Sequence, residues 1–136
     1  MNLDEAREFI RSNHRGVLVT RRADGSLQTS PVTASVGADG RLVVSSRETA
    51  YKVKNLRRDP RVTYTAMNDG FFGKWLQVDG TAEVVSLPAA MEPLVEYYRS
   101  IAGEHENWDD YREAMRSEQR VVIAITPERA GPNVSG

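Results

Sequence analysis

The sequence predicts a mainly β or α+β domain built on a small antiparallel barrel, on three observations. Six short segments carry strand patterning, the first three are joined by turns too short for a parallel crossover, and most helical periodicity falls late, between the last two strand segments. Closing short antiparallel strands into a barrel disposes of edges that would otherwise pair with other chains. With 136 residues, 40% of them hydrophobic, the chain suits one domain (1–136) around one core.

In chain order, Leu3, Ala6, Phe9 and Ile10 recur at helical spacing behind Asn2 or Asp4 as a cap, predicting a helix over 3–12. The run Val17 to Thr20 is rich in β-branched residues. The turn "ADGS" follows, "LQTSPVTASV" resumes a strand, and "GADG" leads to a third strand, "RLVVSS", in the outline of a meander. Thr49 is a good N-cap for a helix over 50–58, with Ala50, Val53 and Leu56 as its apolar stripe and Asp59–Pro60 as its stop. "RVTYTAM" and "KWLQVDGTAEVVS" flank the "NDGFFG" turn. Met91, Leu94, Val95, Tyr98 and Ile101 then mark a helix ending at Gly103, and Asn107 with Asp110 caps another that carries Trp108, Tyr111 and Met115 on one face. "RVVIAITP" is the last strand, and "RAGPNVSG" reads as a loosely structured tail.

A net charge of -1 and a pI near 6.1 argue against general nucleic-acid binding. The absence of cysteine excludes disulfides, thiolate metal sites and cysteine nucleophiles. No run approaches a membrane span and the N-terminus lacks an apolar signal region, so the expectation is a soluble cytoplasmic protein without a membrane partner. Against that background "SSRETAYKVKNLRRDPR" gathers Arg47, Lys52, Lys54, Arg57, Arg58 and Arg61 against only Glu48 and Asp59. Lys52 would sit in a first helical turn, where a cation opposes the helix dipole unless an anion compensates it, and this points to a bound phosphate. Lys54, Arg57 and Arg58 also read as a plain solvated helix face. Pro31, inside a strand, belongs at an edge or bulge or beside a ligand. Ser45 and Ser46 are small polar residues where a ligand could approach the backbone.

The segments "GVLVTRRADGSLQTSPV", "RLVVSS" with "AYKVKNLRRDPRV", "KWLQVDGTAEVV", "YYRSIAGEHENWDDYREAM" and "RVVIAITPERAGP" together resemble the F420-dependent, actinobacterial members of the pyridoxamine 5'-phosphate oxidase-like proteins. The resemblance spans nearly the whole chain, and "KVKNLRRDPRV" is its most specific part. It implies a six-stranded antiparallel split β-barrel of the FMN-binding type with peripheral helices, assembled as a homodimer with the cofactor in a groove between subunits. It further implies Lys52 near the cofactor phosphate, Thr29, Ser30, Pro31 and Val32 along the deazaflavin, Ser45 and Ser46 lining the groove, and Lys54, Asn55 and Trp75 completing the cofactor-binding set. Relatives often carry an arginine two residues before that lysine. Ala50 stands there, so phosphate contacts fall to Lys52, Lys54 and the helix amides.

Nothing in the sequence is a self-sufficient catalytic apparatus. His14 and His105 are the only histidines, "GEHENWDD" reads as a capped helix start rather than a metal site, and no serine has a base at triad spacing. A cofactor must carry the chemistry. The leading expectation is an F420-dependent reductase passing hydride to a small conjugated electrophile: an activated C=C, a quinone or a biliverdin-like pigment. The alternatives are an FMN-dependent enzyme of pyridoxamine-phosphate-oxidase type and a non-catalytic carrier of F420 or a tetrapyrrole. Tyr51, Tyr64 and Tyr98 are proton donors by type, Tyr98 also fitting the core. Trp75 with Phe71 and Phe72 would form either a groove wall or dimer packing.

Overall fold

The computed structural model describes residues 1–135, with side chains through Pro132. Its elements are α1 (Leu3–Ser12), β1 (Arg15–Arg21), β2 (Leu27–Thr33), β3 (Ser35–Val36), β4 (Leu42–Arg47), α2 (Tyr51–Arg58), β5 (Arg61–Met67), β6 (Lys74–Val85), α3 (Met91–Ala102), α4 (Trp108–Ser117) and β7 (Arg120–Ser135). All ladders are antiparallel, and the sheet order is β2-β1-β5-β6-β7-β4-β3. The two outermost strands of that order are consecutive in the chain. The peptide Thr33–Ala34–Ser35 therefore ties one edge to the other and curls the sheet into a half-barrel with peripheral helices, the α+β class expected.

The tie also explains why six expected strands are seven. "LQTSPVTASV" does not run through as one strand, because it changes partners: Thr33 faces Arg15 on β1, whereas Ser35 faces Val43 on β4. Between them the Ala34 N–H leaves the ladders and donates to the His14 carbonyl at 2.7 Å. The expected meander is likewise two hairpins, β1–β2 and β3–β4, joined through β5, β6 and β7.

Inward residues of the strands (Leu18, Leu42, Val44, Tyr64, Leu76, Val78, Ile123, Ile125) form one cluster with Ala6 and Ile10 of α1 and Val53 and Leu56 of α2. Gly16 permits the tightest contact in it, since a Cβ there would overlap the Tyr64 hydroxyl and the Thr65 carbonyl. The Tyr64 hydroxyl donates to the His14 carbonyl at 2.9 Å, and burial raises its pKa. A second cluster covers the outer face of β4 and β7, where Val43, Val122 and Ala124 meet Met91, Leu94 and Val95 of α3 and Tyr111 and Met115 of α4. Among the described residues no helix covers the outer face of β1, β5 and β6, where Val17, Val19, Thr63, Thr65, Trp75 and Gln77 stay half-exposed.

Caps at three helices follow the sequence. Asn2 accepts from the Glu5 N–H at 2.8 Å, Asn107 from the Asp110 N–H at 3.2 Å, and Gly103 ends α3 at φ 82°. Two expectations change. Thr49 does not cap α2: the cap is Ala50, without a side-chain bond, because the Ala50 N–H closes a turn onto the Arg47 carbonyl and places Thr49 in that turn. The "RAGPNVSG" segment is strand through Ser135, because the 12-residue β6 offers a partner along its length, Val78 facing Ala130 and Trp75 facing Val134. Gly136 of that segment lies outside the described residues. No helix among them is long and apolar enough to cross a membrane.

Candidate functional site

The end of β2, the end of β4, the start of α2 and the packed faces of α3 and α4 enclose an open groove of about 670 Å3, within the usual range for small-molecule sites. Pro31, Val32 and Thr33 form one wall. Ser45, Ser46 and Arg47 form the other, with Thr49, Ala50 and Lys52 at one end and Tyr97, Tyr98 and Tyr111 opposite. Of the residues singled out in the sequence, the fold thus brings together Pro31, Val32, Ser45, Ser46 and Lys52, which come from three separate elements.

The remainder sit elsewhere in one chain. Thr29 is on the exposed face of β2, opposite Val19, and Ser30 points to the other face, opposite Leu18. Lys54 and Asn55 lie on the flank of α2 turned away from the groove. Asn55 is buried, donating to Thr20 Oγ1 at 3.1 Å and Gln28 Oε1 at 2.7 Å. Trp75 faces outward on β6, three strands from Pro31 through Val17, Thr65 and Gln77, or about 14 Å of sheet. Phe71 and Phe72, edge to face at 5.0 Å, project from the β5–β6 turn, 87% and 74% exposed.

The groove is electropositive. Glu118 is its one acid, and both Arg47 (3.3 Å) and Arg120 (2.9 Å) bind it, the Arg120 hydrogen bond holding its pKa down. Lys52 has no carboxylate partner among the described residues. Burial, with the Arg120 charge nearby, pulls its ammonium below the ordinary lysine pKa. The Tyr51 and Lys52 amides open α2, whose first intrahelical bonds are the Val53 and Lys54 N–H groups to the Ala50 carbonyl. Lys52 is therefore a half-buried cation beside free amides at a positive helix end, an arrangement that an anion relieves.

The tyrosines divide by what their hydroxyls already do. Tyr64 is core and Tyr51 lies outside the groove on the far flank of α2. Tyr111 donates to the Leu94 carbonyl at 2.8 Å, and burial pushes its pKa up to about 12. Tyr97, which the sequence reading missed, donates to the Thr33 carbonyl at 2.9 Å and meets Thr33 Oγ1 at 2.6 Å, pinning α3 to the groove wall. It stands three residues after Leu94 and four before Ile101, so helical spacing could have marked it as part of the α3 stripe. Tyr98 packs edge-on against Trp108 and Tyr111 with the His105 ring at 5.1 Å, and its hydroxyl has no hydrogen bond among the described residues. His105 Nδ1 accepts from the Asn107 N–H, as part of a helix start.

Compared with known proteins, residues 3–132 match the family described as pyridoxamine 5'-phosphate oxidase. The chain belongs to that family. Solved structures repeat this pyridoxamine 5'-phosphate oxidase architecture. A conserved hypothetical protein of Mycobacterium tuberculosis superposes with a TM-score of 0.77 at 26% identity, over 96% of this chain and 82% of that one. A protein described as an F420 reductase gives 0.69 at 20% identity over 91% and 94%, and a putative pyridoxamine 5'-phosphate oxidase of Listeria innocua gives 0.68 at 22% over 95% of each. At such identities the last two likenesses speak for the fold.

Proposed function

We propose that the protein is an F420-dependent oxidoreductase that reduces a conjugated electrophile, an activated C=C or a quinone- or biliverdin-like bond. The observation that carries this reading is Lys52: a half-buried cation without a carboxylate partner among the described residues, at the amide-rich end of α2, on a groove with an extended β2 wall. Those features fit a planar cofactor bearing a phosphate, and the fold shared with an F420 reductase supports the choice of deazaflavin. When bound, reduced F420 supplies the hydride. Lys52 and the Tyr51 and Lys52 amides hold the phosphate, Pro31 and Val32 flank the ring, and Tyr97, through Thr33, keeps the wall in register. Tyr98, with its uncommitted hydroxyl beside the groove, is the side chain placed to deliver a proton to the reduced substrate.

The assembly we propose is a homodimer through the helix-free face of β1, β5 and β6. Trp75, Phe71 and Phe72, which do not border the groove of their own chain, would close the groove of a second copy across that face. The family match and the Listeria relative favour a second reading, an FMN-dependent enzyme. Titration with F420 and with flavin mononucleotide side by side separates the two. The expectation is saturable F420 binding, weakened by Lys52→Ala. Tight flavin mononucleotide binding with none of F420 would overturn the deazaflavin reading.

A further inference from the structure

Twelve of the 18 lysines and arginines pair with a carboxylate. Of the other six, which form no ion pair among the described residues, Lys52 belongs to the groove and Lys74 begins β6. The remaining four, Arg21, Arg22, Lys54 and Arg58, crowd two adjoining hollows between the β1–β2 turn and the flank of α2 that faces away from the groove. Positive charge without an ion-pair partner among the described residues is thus concentrated on one patch of a chain whose net charge is -1.

The patch is built rather than incidental. Arg58 is held by neutral acceptors alone, its Nη2 donating to the Arg21 carbonyl at 2.8 Å and to Asn55 Oδ1 at 3.1 Å. Asn55, 6% exposed, is fixed beneath it by Thr20 and Gln28. Arg22 Nη1 donates to the Leu27 carbonyl at 2.7 Å, and Lys54 Nζ lies 5.6 Å from the centre of the Tyr51 ring, itself 73% exposed. Two acids border the patch: Asp24 accepts from Ser26 Oγ at 2.6 Å, a bond that together with the Arg22 charge lowers its pKa, and Asp59 is held by Arg61 at 2.7 Å, with the Arg21 charge adding to the same effect. Arg22 and Arg58 are therefore oriented without a close carboxylate partner, and two acids offset only part of the charge of four cations. Like charges held side by side repel, and a ligand with several negative groups relieves the repulsion.

We propose that the hollow of about 530 Å3 between the β1–β2 turn and α2, bordered by Arg22, Lys54 and Arg58, binds a small polyanion carrying two or more phosphate or carboxylate groups. Guanidinium forks match both groups in bidentate geometry, and the Gln28 Nε2 amide group, which has no hydrogen-bond partner among the described residues, supplies a neutral donor at the floor. This site lies across α2 from Lys52 and stands whether or not the groove takes F420.

The test is an amide-shift titration of the full chain at low salt with inorganic tripolyphosphate and, separately, citrate. At least one anion should saturate and move the amides of Ala23, Gln28 and Lys54. Arg22→Gln with Lys54→Gln, two exposed changes that leave the Asn55 network intact, should weaken that binding tenfold or more, while Lys52→Ala changes it by less than about twofold. Arg58→Gln, with its melting temperature checked against the parent, should act in the same direction. Saturation by tripolyphosphate alone would assign the site to phosphates and saturation by both to polyanions generally. No saturation by either at about 10 mM, unchanged affinity in the double variant, or shifts confined to 45–52 would each overturn the proposal.

Discussion

Lys52 sets a stability cost against a binding gain. Its pKa in the fold lies below that of the unfolded chain, so between the two values the unfolded state holds the proton more firmly and stability rises with pH. Below that window the charged, half-buried side chain is a standing cost to the ligand-free fold. Lys52→Ala should therefore keep or raise the melting temperature while weakening F420 binding about ten- to hundredfold, as expected for loss of a charge-assisted contact of about 1.5–3 kcal/mol. The same depressed pKa should make F420 affinity in the parent fall at an alkaline pH below that at which a free lysine deprotonates. A pH-dependent binding series on parent and variant checks both, and a variant that melts lower and binds equally well would refute them. Tyr98→Phe should lower turnover with little change in F420 affinity, since its hydroxyl makes no contact that the fold uses. Gly16→Ala, by contrast, should cost about 1–3 kcal/mol or more in denaturant unfolding, because neither the Tyr64 ring nor the Thr65 backbone can withdraw.

Among the elements, α2 presents two faces of different chemistry: Lys52 toward the groove, Lys54 and Arg58 toward the β1–β2 turn, with Val53 and Leu56 buried between. The sequence showed the basic run and the helix, but not the division, because the direction of each side chain depends on where β2 and the hairpin turn lie. What was legible was local: the Asn2 and Asn107 caps, the Gly103 stop and the turns at Gly25 and Gly40 each rest on a few neighbouring residues. Asn107→Ala should accordingly cost about 1 kcal/mol, read by thermal unfolding. The break at Ala34 and the extension of β7 were not legible, because each is decided by a partner distant in the chain; Thr49 lost its place as a cap to the local Arg47–Ala50 turn, which residue preference for a cap does not register. The groove shows the same divide: Pro31, Ser45, Ser46 and Lys52 carried a local signal, whereas Tyr97 is defined by its bond to Thr33, 64 residues away.

For the molecule as a whole, the helix-free sheet face and the exposed Phe71–Phe72 pair make a prediction about assembly. Light scattering at micromolar concentration should give twice the chain mass, and Phe71→Ala with Trp75→Ala should weaken dimerisation, cofactor affinity or both; a monomer with cofactor present would refute it. The tie at Ala34 carries a different consequence, for the order in which the chain can fold. The β1–β2 and β3–β4 hairpins close over short loops and can form early, but β4 finds its ladder only on β7, with Leu42 facing Ile125 across 83 residues of sequence. Closing so long a loop is entropically slow, so the two groove walls, one on each hairpin, meet only when the last strand has docked. Refolding followed by cofactor fluorescence should therefore lag refolding followed by far-ultraviolet circular dichroism, making the binding signal a clock for the final step of folding.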